Sequence, residues 1–117
     1  MSFVERLNNN YKYTLIMDNE ISLGVIVPFY NEELFLTDSV KRLLEIEIAQ
    51  EIVLVDDCST DNSFILAKNI ANENKNIKII KTNENIGKGG AVKKGLELIS
   101  TSHVIIHDAD LEYFPED

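Results

Sequence analysis

The sequence predicts a three-layer α/β/α fold, Rossmann-like, around a parallel sheet of four strands in the order 3-2-1-4. Three observations lead there. Four short apolar segments rich in β-branched residues, Leu23–Val27, Ile52–Val55, Ile77–Ile80 and Val104–Ile106, are each too short for a helix and read as strands buried on both faces. Three stretches between them carry apolar residues at helical spacing. The strict alternation of the two kinds calls for crossovers, which bring each strand back parallel to the last with a right-handed turn.

Residues 1–20 read as a polar N-terminal extension with room for one short helix, and residues 21–117 as one domain. After the first apolar segment, Asn31 can cap a helix that has Glu32 and Glu33 in its opening turn and Leu36, Val40, Leu43 and Leu44 on its inner face. After the second, Ser59 or Thr60 can cap a helix that starts near Asp61 and turns Phe64, Ala67 and Ala71 inward. The Gly87–Gly90 turn opens the third helix, with Val92, Leu96 and Ile99 along one face. Asn-rich stretches at 72–76 and 83–85 fall where helix ends and strand exits need turns.

The totals bound the function. A chain of 117 residues has room for one compact domain with a real core. Its 11 Lys and Arg against 20 Asp and Glu give a formal net charge of −9, which argues against nucleic acid as a partner. An anionic ligand would need local help from a helix N-terminus, a lysine or a metal ion. The single cysteine, Cys58, cannot form an internal disulfide and fits a reducing compartment. No apolar run approaches the roughly 20 residues that span a bilayer. The N-terminus lacks the apolar core of a signal peptide, so a cytoplasmic location is expected.

In a parallel sheet, whatever follows each strand lies along one edge. Here that edge collects Pro28-Phe29-Tyr30-Asn31-Glu32, Asp56-Asp57-Cys58-Ser59-Thr60 and His107-Asp108-Ala109-Asp110. Ligands bind at the carboxyl ends of strands where the strand order reverses. With the order 3-2-1-4 the reversal falls between the first and fourth strands, so Tyr30 and the Asp108/Asp110 pair flank the crevice and Asp57 stands one strand away.

Each cluster has a plain reading beside a chemical one. Asp108 and Asp110 are either a solvated turn or one side of a Mg²⁺ or Mn²⁺ site, whose open positions suit water and diphosphate oxygens. Asp56 and Thr60 are read as turn and cap residues. Asp57, expected at the sheet edge rather than in the core, can accept from a nucleobase N–H or a ribose hydroxyl. Tyr30 can stack on a base or simply pack in the turn. Lys88 and its neighbouring glycines stand at a helix start that favours anions, although no P-loop spacing is present. Cys58 is read as structural, and His103 and His107 as packing residues rather than metal ligands.

In order and spacing, "GVIVPFYNEE", "EIVLVDDCSTDNS", "NENIGKGGAVKKG" and "VIIHDADLEYFPED" resemble the family-2 glycosyltransferases of the nucleotide-diphosphosugar-binding GT-A fold, over about residues 21–117. The last two look most like the branch that makes polyprenyl- or dolichyl-phosphate sugars. The resemblance implies that Pro28, Tyr30 and Glu32 line the nucleotide pocket, that Asp57 contacts the base and that Lys88 lies near the nucleotide. It implies that Asp108, Ala109 and Asp110 form a D-x-D element, in which Asp108 and Asp110 hold Mg²⁺ or Mn²⁺ and the diphosphate. The implied donor is a UDP- or GDP-sugar, and the implied acceptor a polyprenyl phosphate or a glycan. Peripheral attachment at the inner face of a membrane follows for the full-length protein.

Two departures from the pattern matter. Cys58 stands where the family often has Gly, a tolerable change if the backbone there is not left-handed. The sequence also stops just after the D-x-D element, so the domain reads as C-terminally truncated, with its general base expected beyond Asp117 and no catalytic residue assignable. Self-association through the edge of the fourth strand is then expected. The competing reading is a non-catalytic nucleotide-binding or interaction module. A phosphoacceptor receiver domain fails on order, because its acidic pair follows the first strand rather than the second.

Overall fold

A computed structural model describes residues 2–7, 10–15, 22–47 and 49–109, the first two spans as backbone alone. The N-terminal extension contains two strands, β1 (Ser2–Leu7) and β2 (Asn10–Leu15), paired antiparallel with Ser2 opposite Leu15 and Leu7 opposite Asn10. The short helix expected there is therefore corrected to a strand pair. Phe3, Val4, Tyr11, Tyr13 and Thr14 are strand-forming types, and turn-forming Asn8 and Asn9 separate the two runs in sequence.

The remaining elements alternate: β3 (Leu23–Phe29), α1 (Leu36–Ile46), β4 (Glu51–Asp56), α2 (Ser63–Glu73), β5 (Ile77–Lys81), α3 (Gly87–Leu98) and β6 (His103–Ile106). The four later strands form one parallel sheet of order β5-β4-β3-β6, which is 3-2-1-4 for the four apolar segments. β3 and β4 are central and buried on both faces, so their sequences run apolar without alternation.

Successive residues of those strands serve opposite layers. Val25, Val27, Phe29, Ile52 and Leu54 meet Leu36 and Val40 of α1 and Ala67 of α2. Ile26, Val53 and Val55 meet Ala91 of α3 on the other face. Each fully buried Val, Leu or Ile contributes about 1.5–3 kcal/mol, and these two layers are the core.

The inner faces of α1 and α2 agree with the sequence reading: Leu36, Val40 and Ala67 are buried, and Leu43, Leu44 and Ala71 pack beside them. The face of α3 is rotated by one position. Ala91 and Gly95 face the sheet, whereas Leu96 is 49% exposed and Val92 half-buried; Ile99, just past the helix, still packs inward. Gly95 explains the shift. A Cβ there would lie 2.7 Å from Ile26 Cγ2 and 3.2 Å from Val55 Cγ2, so the bare backbone lets α3 settle against β3 and β4 more closely than a side chain permits.

The helix starts also differ from the expected caps. The residues preceding the helices are Phe35, Asn62 and Ile86, and none makes a side-chain capping bond. Asn31, Ser59 and Thr60 are used between loops instead.

Candidate donor pocket at the sheet edge

β3 and β6 are in register from Leu23–His103 to Ile26–Ile106, and the next bond is His107 N–H donating to Ile26 O at 2.9 Å. β3 continues to Phe29 against β4 alone, with Asp57 N–H donating to Phe29 O at 2.9 Å. Odd-numbered residues of β3 therefore bond toward β4 and even-numbered ones toward β6. Pro28, which has no N–H, falls on the β6 side beyond the last shared bond, where a proline is tolerated.

A pocket of about 320 Å³ opens at this divergence. Its lining comprises Pro28, Phe29, Tyr30 and Glu32 from β3 and the turn after it, Asp57 from beyond β4, Lys88 and Ala91 from α3, and Asp108 and Ala109 from beyond β6. All seven residues expected to contact substrate, namely Pro28, Tyr30, Glu32, Asp57, Lys88, Asp108 and Ala109, stand along this one pocket. Asp110 lies outside the described residues. Phe29 and Ala91 were not among the expected contacts: Phe29 stood in the segment expected at the sheet edge without a role of its own, and Ala91 is visible only once α3 is rotated onto its true face.

The turns that carry the pocket are fastened to each other. Asn31 N–H donates to Ser59 Oγ at 2.9 Å, and Glu32 N–H to Ser63 Oγ at 2.8 Å. In return the Asn31 side-chain oxygen accepts from Thr60 N–H at 2.8 Å and Asp61 N–H at 3.3 Å. Asn31 adopts a φ of 52°, a left-handed conformation that Asn tolerates better than most side chains. This clasp sets the direction of Tyr30 and Glu32 on either side of Asn31. Burial raises the Asp61 carboxyl, but bonds from the Ser63 side chain and backbone and from Glu33 N–H outweigh it and hold the group below its ordinary value.

Asp57 lies deeper than expected, 4% exposed rather than free at an edge. Its Oδ1 accepts from Ile86 N–H at 2.9 Å and its Oδ2 from Gly87 N–H at 2.8 Å, so it satisfies two orphan donors at the start of α3. The anion expected at that helix start is thus supplied partly by the protein. Oδ1 also lies 3.1 Å from the Thr82 hydroxyl, so the acceptor capacity left over is chiefly the second lone pair of Oδ2. Asp56 is the turn residue it was read to be, with Oδ1 accepting from Ser59 N–H at 2.8 Å, while its buried Oδ2 has no partner among the described residues.

At the opposite wall Lys88 Nζ sits 2.5 Å from Asp108 Oδ1. Behind it, His107 Nε2 hydrogen-bonds Ser39 Oγ at 2.9 Å. Burial holds the His107 imidazole below its ordinary value against the opposing pull of Asp108. His103 Nδ1 lies 2.8 Å from Ser102 Oγ. Among the described residues no three His, Cys, Asp or Glu side chains gather into a metal cage. Asp108 is the described carboxylate suited to a hard cation: it faces the pocket, is exposed, and already carries a positive group on one oxygen.

Comparison with known proteins is consistent with this geometry. Residues 24–117 match the family described as "Glycosyl transferase family 2". The chain is 41% identical over 103 residues to dolichyl-phosphate β-glucosyltransferase of Saccharomyces cerevisiae, covering 80% of this chain and 31% of that protein. It thus spans about a third of the length of that curated relative. Among solved structures, a mannosyltransferase of Pyrobaculum calidifontis in complex with GDP-Man and Mn²⁺ superposes with a TM-score of 0.70 at 28% identity, over 75% of this chain and 27% of the other. TarS of S. aureus in complex with UDP-GlcNAc superposes at 0.69 and 30% identity, over 77% and 27%.

Two outcomes follow from the local geometry. Asp57→Ala removes the acceptors of Ile86 and Gly87 N–H and is expected to lower stability by about 1–2 kcal/mol in urea unfolding, the usual scale of a lost cap; an unchanged midpoint contradicts this role. Cys58 has a φ of 67°, so the condition for tolerating it in place of Gly is not met. A left-handed non-glycine residue costs roughly 1–2 kcal/mol, offset by the greater unfolded-state freedom of Gly. Unfolding midpoints should therefore rank Cys58→Gly at or above the natural chain and Cys58→Val clearly below it.

Proposed function

Because the chain belongs to glycosyl transferase family 2, we propose that its pocket is the donor site of an inverting glycosyltransferase that takes a UDP- or GDP-sugar and passes the sugar to a polyprenyl phosphate or a glycan. The observation that carries this reading is convergence: polar groups from separate segments meet in one pocket at the point where the sheet order reverses. The GDP-Man and UDP-GlcNAc held by the two structural relatives support the donor class. The dolichyl-phosphate relative supports the acceptor class.

In this reading Tyr30 offers its ring to the base, and Asp57 accepts from a base N–H or ribose hydroxyl with the lone pair of Oδ2 that α3 does not use. Pro28, Glu32 and Ala109 shape the pocket, and Lys88 meets the diphosphate. Asp108 and Asp110 hold Mg²⁺ or Mn²⁺, a choice of cation supported by the Mn²⁺ in the mannosyltransferase complex. When bound, the cation offsets the charge that develops on the departing nucleoside diphosphate. The general base and the acceptor wall are assigned to none of the residues present. A place at the cytoplasmic face of a membrane suits a polyprenyl-phosphate acceptor; among the described residues no helix is long and apolar enough to cross the membrane itself.

The test is calorimetric. UDP or GDP should bind at least about tenfold more tightly with Mn²⁺ than with a chelator, a difference of about 1.4 kcal/mol. Joint Asp108→Asn and Asp110→Asn replacement should abolish that difference. Equal affinity with and without metal would remove the donor-site reading, whereas binding without sugar transfer in the longer protein would favour a non-catalytic module. Self-association of the 117-residue chain is proposed at β6, an edge strand on which Ile105 and Ile106 are 49% and 41% exposed. Light scattering should detect species larger than a monomer, and a single monomeric species contradicts it.

A further inference from the structure

We propose that Lys88 is the placeholder for the divalent cation on Asp108, and that exchanging one for the other couples metal binding to diphosphate binding. The inference rests on the donor-site reading and adds a positioning role for Lys88 beyond contact with the nucleotide.

Two Lys–carboxylate pairs in the structure show what is special about this one. At the far edge of the sheet Lys78 pairs with Glu51, a buried carboxylate that also accepts from Ser100 N–H at 2.7 Å and Ser100 Oγ at 3.2 Å. Burial alone would raise the Glu51 carboxyl, yet Lys78 and Ser100 together hold it below its ordinary value. That pair is fixed from several sides. Lys88 and Asp108 are different: their side chains are 59% and 62% exposed, and among the described residues Lys88 is the only salt-bridge partner of the Asp108 carboxylate. An exposed pair of this kind is weak and readily displaced.

Position gives the displacement a consequence. Lys88 belongs to the first turn of α3, and both members of the pair line the pocket. With no metal present, the ammonium neutralises Asp108 and bridges the two walls. A divalent cation arriving alone must evict it, leaving a lysine and a divalent ion close together. A cation arriving with a diphosphate leaves the ammonium a new anionic partner, beside a helix start that favours negative charge. Metal and nucleotide then tighten each other's binding by the same factor, as linkage requires.

The experiment measures Mn²⁺ affinity of the full 117-residue chain by the loss of the free-ion paramagnetic resonance signal. It is run with and without saturating UDP or GDP, in the natural chain, Lys88→Met, Lys88→Gln and Lys88→Arg. Without nucleotide, Lys88→Met and Lys88→Gln should bind Mn²⁺ about two- to fivefold more tightly, the scale of an exposed pair. The enhancement of Mn²⁺ binding by nucleotide should shrink in both, while Lys88→Arg keeps the natural pattern. Tightening by the same factor with and without nucleotide means simple repulsion and overturns the exchange, as does no tightening at all. A natural chain that binds neither Mn²⁺ nor nucleotide ends the donor-site reading itself. One that binds both while Lys88→Met and Lys88→Gln leave the enhancement unchanged ends only the exchange.

Discussion

The pairing of β3 with β6 stops at Ile26 and Ile106, and the pocket depends on where it stops. Had the two strands continued together, Phe29 and Pro28 would have been covered by ladder rather than left at a crevice. Pro28 forbids one further bond on that side because it has no N–H to give. β4 continues to pair with β3 up to Phe29 and Asp56, so the central pair stays rigid while its neighbour turns away. The opening is thus bounded by a firm wall on one side and by the short segment after β6 on the other.

The firm wall is tied down by groups that a ligand site also needs. Asp57 bonds the start of α3 with both carboxylate oxygens, and Asn31 links the turn after β3 to the turn after β4. These bonds cost the site some adaptability and give it preorganisation in return: Tyr30, Glu32 and Lys88 are set relative to one another through short connections, partly buried at Asp57 and exposed at Asn31. The same economy makes a substitution at Asp57 ambiguous, since it disturbs a helix start as well as the pocket. Cys58 stores strain in the segment between these contacts, at a left-handed φ, as turns beside functional sites often do.

What could be read from the sequence followed the physics that acts locally and with a strong period. β3 and β4 are buried on both faces, so their apolar runs were legible and so was their parallel pairing. The residues at the strand ends were legible too, because in a parallel sheet chain order alone carries them to one edge. The face of α3 was not. Val92 and Leu96 are the larger apolar residues, but Gly95 and Ala91 allow closer packing, and that preference depends on the shapes of Ile26 and Val55 across the interface. The caps were misread for a similar reason: Asn31, Ser59 and Thr60 are good cap residues that found partners on a neighbouring loop. The two strands of the extension were missed because their polar residues hid a strand pattern within a stretch of low hydrophobicity.

Charge sets the final constraint on the site. Among the described residues the pocket walls carry the carboxyl groups of Glu32, Asp57 and Asp108 and the ammonium of Lys88, within a protein of formal net charge −9. A nucleoside diphosphate entering that field would meet carboxyl groups as well as Lys88, and the start of α3 is already partly neutralised by Asp57. Lys88 alone cannot reverse the balance while it is also engaged by Asp108. In the exchange proposed above, a divalent cation would reverse the local sign at Asp108 and free the ammonium that Asp108 holds. On the reading proposed above, a cation that accompanies an anionic ligand would ease its entry into this acidic pocket, and one lysine opposite one exposed aspartate would tie the two together.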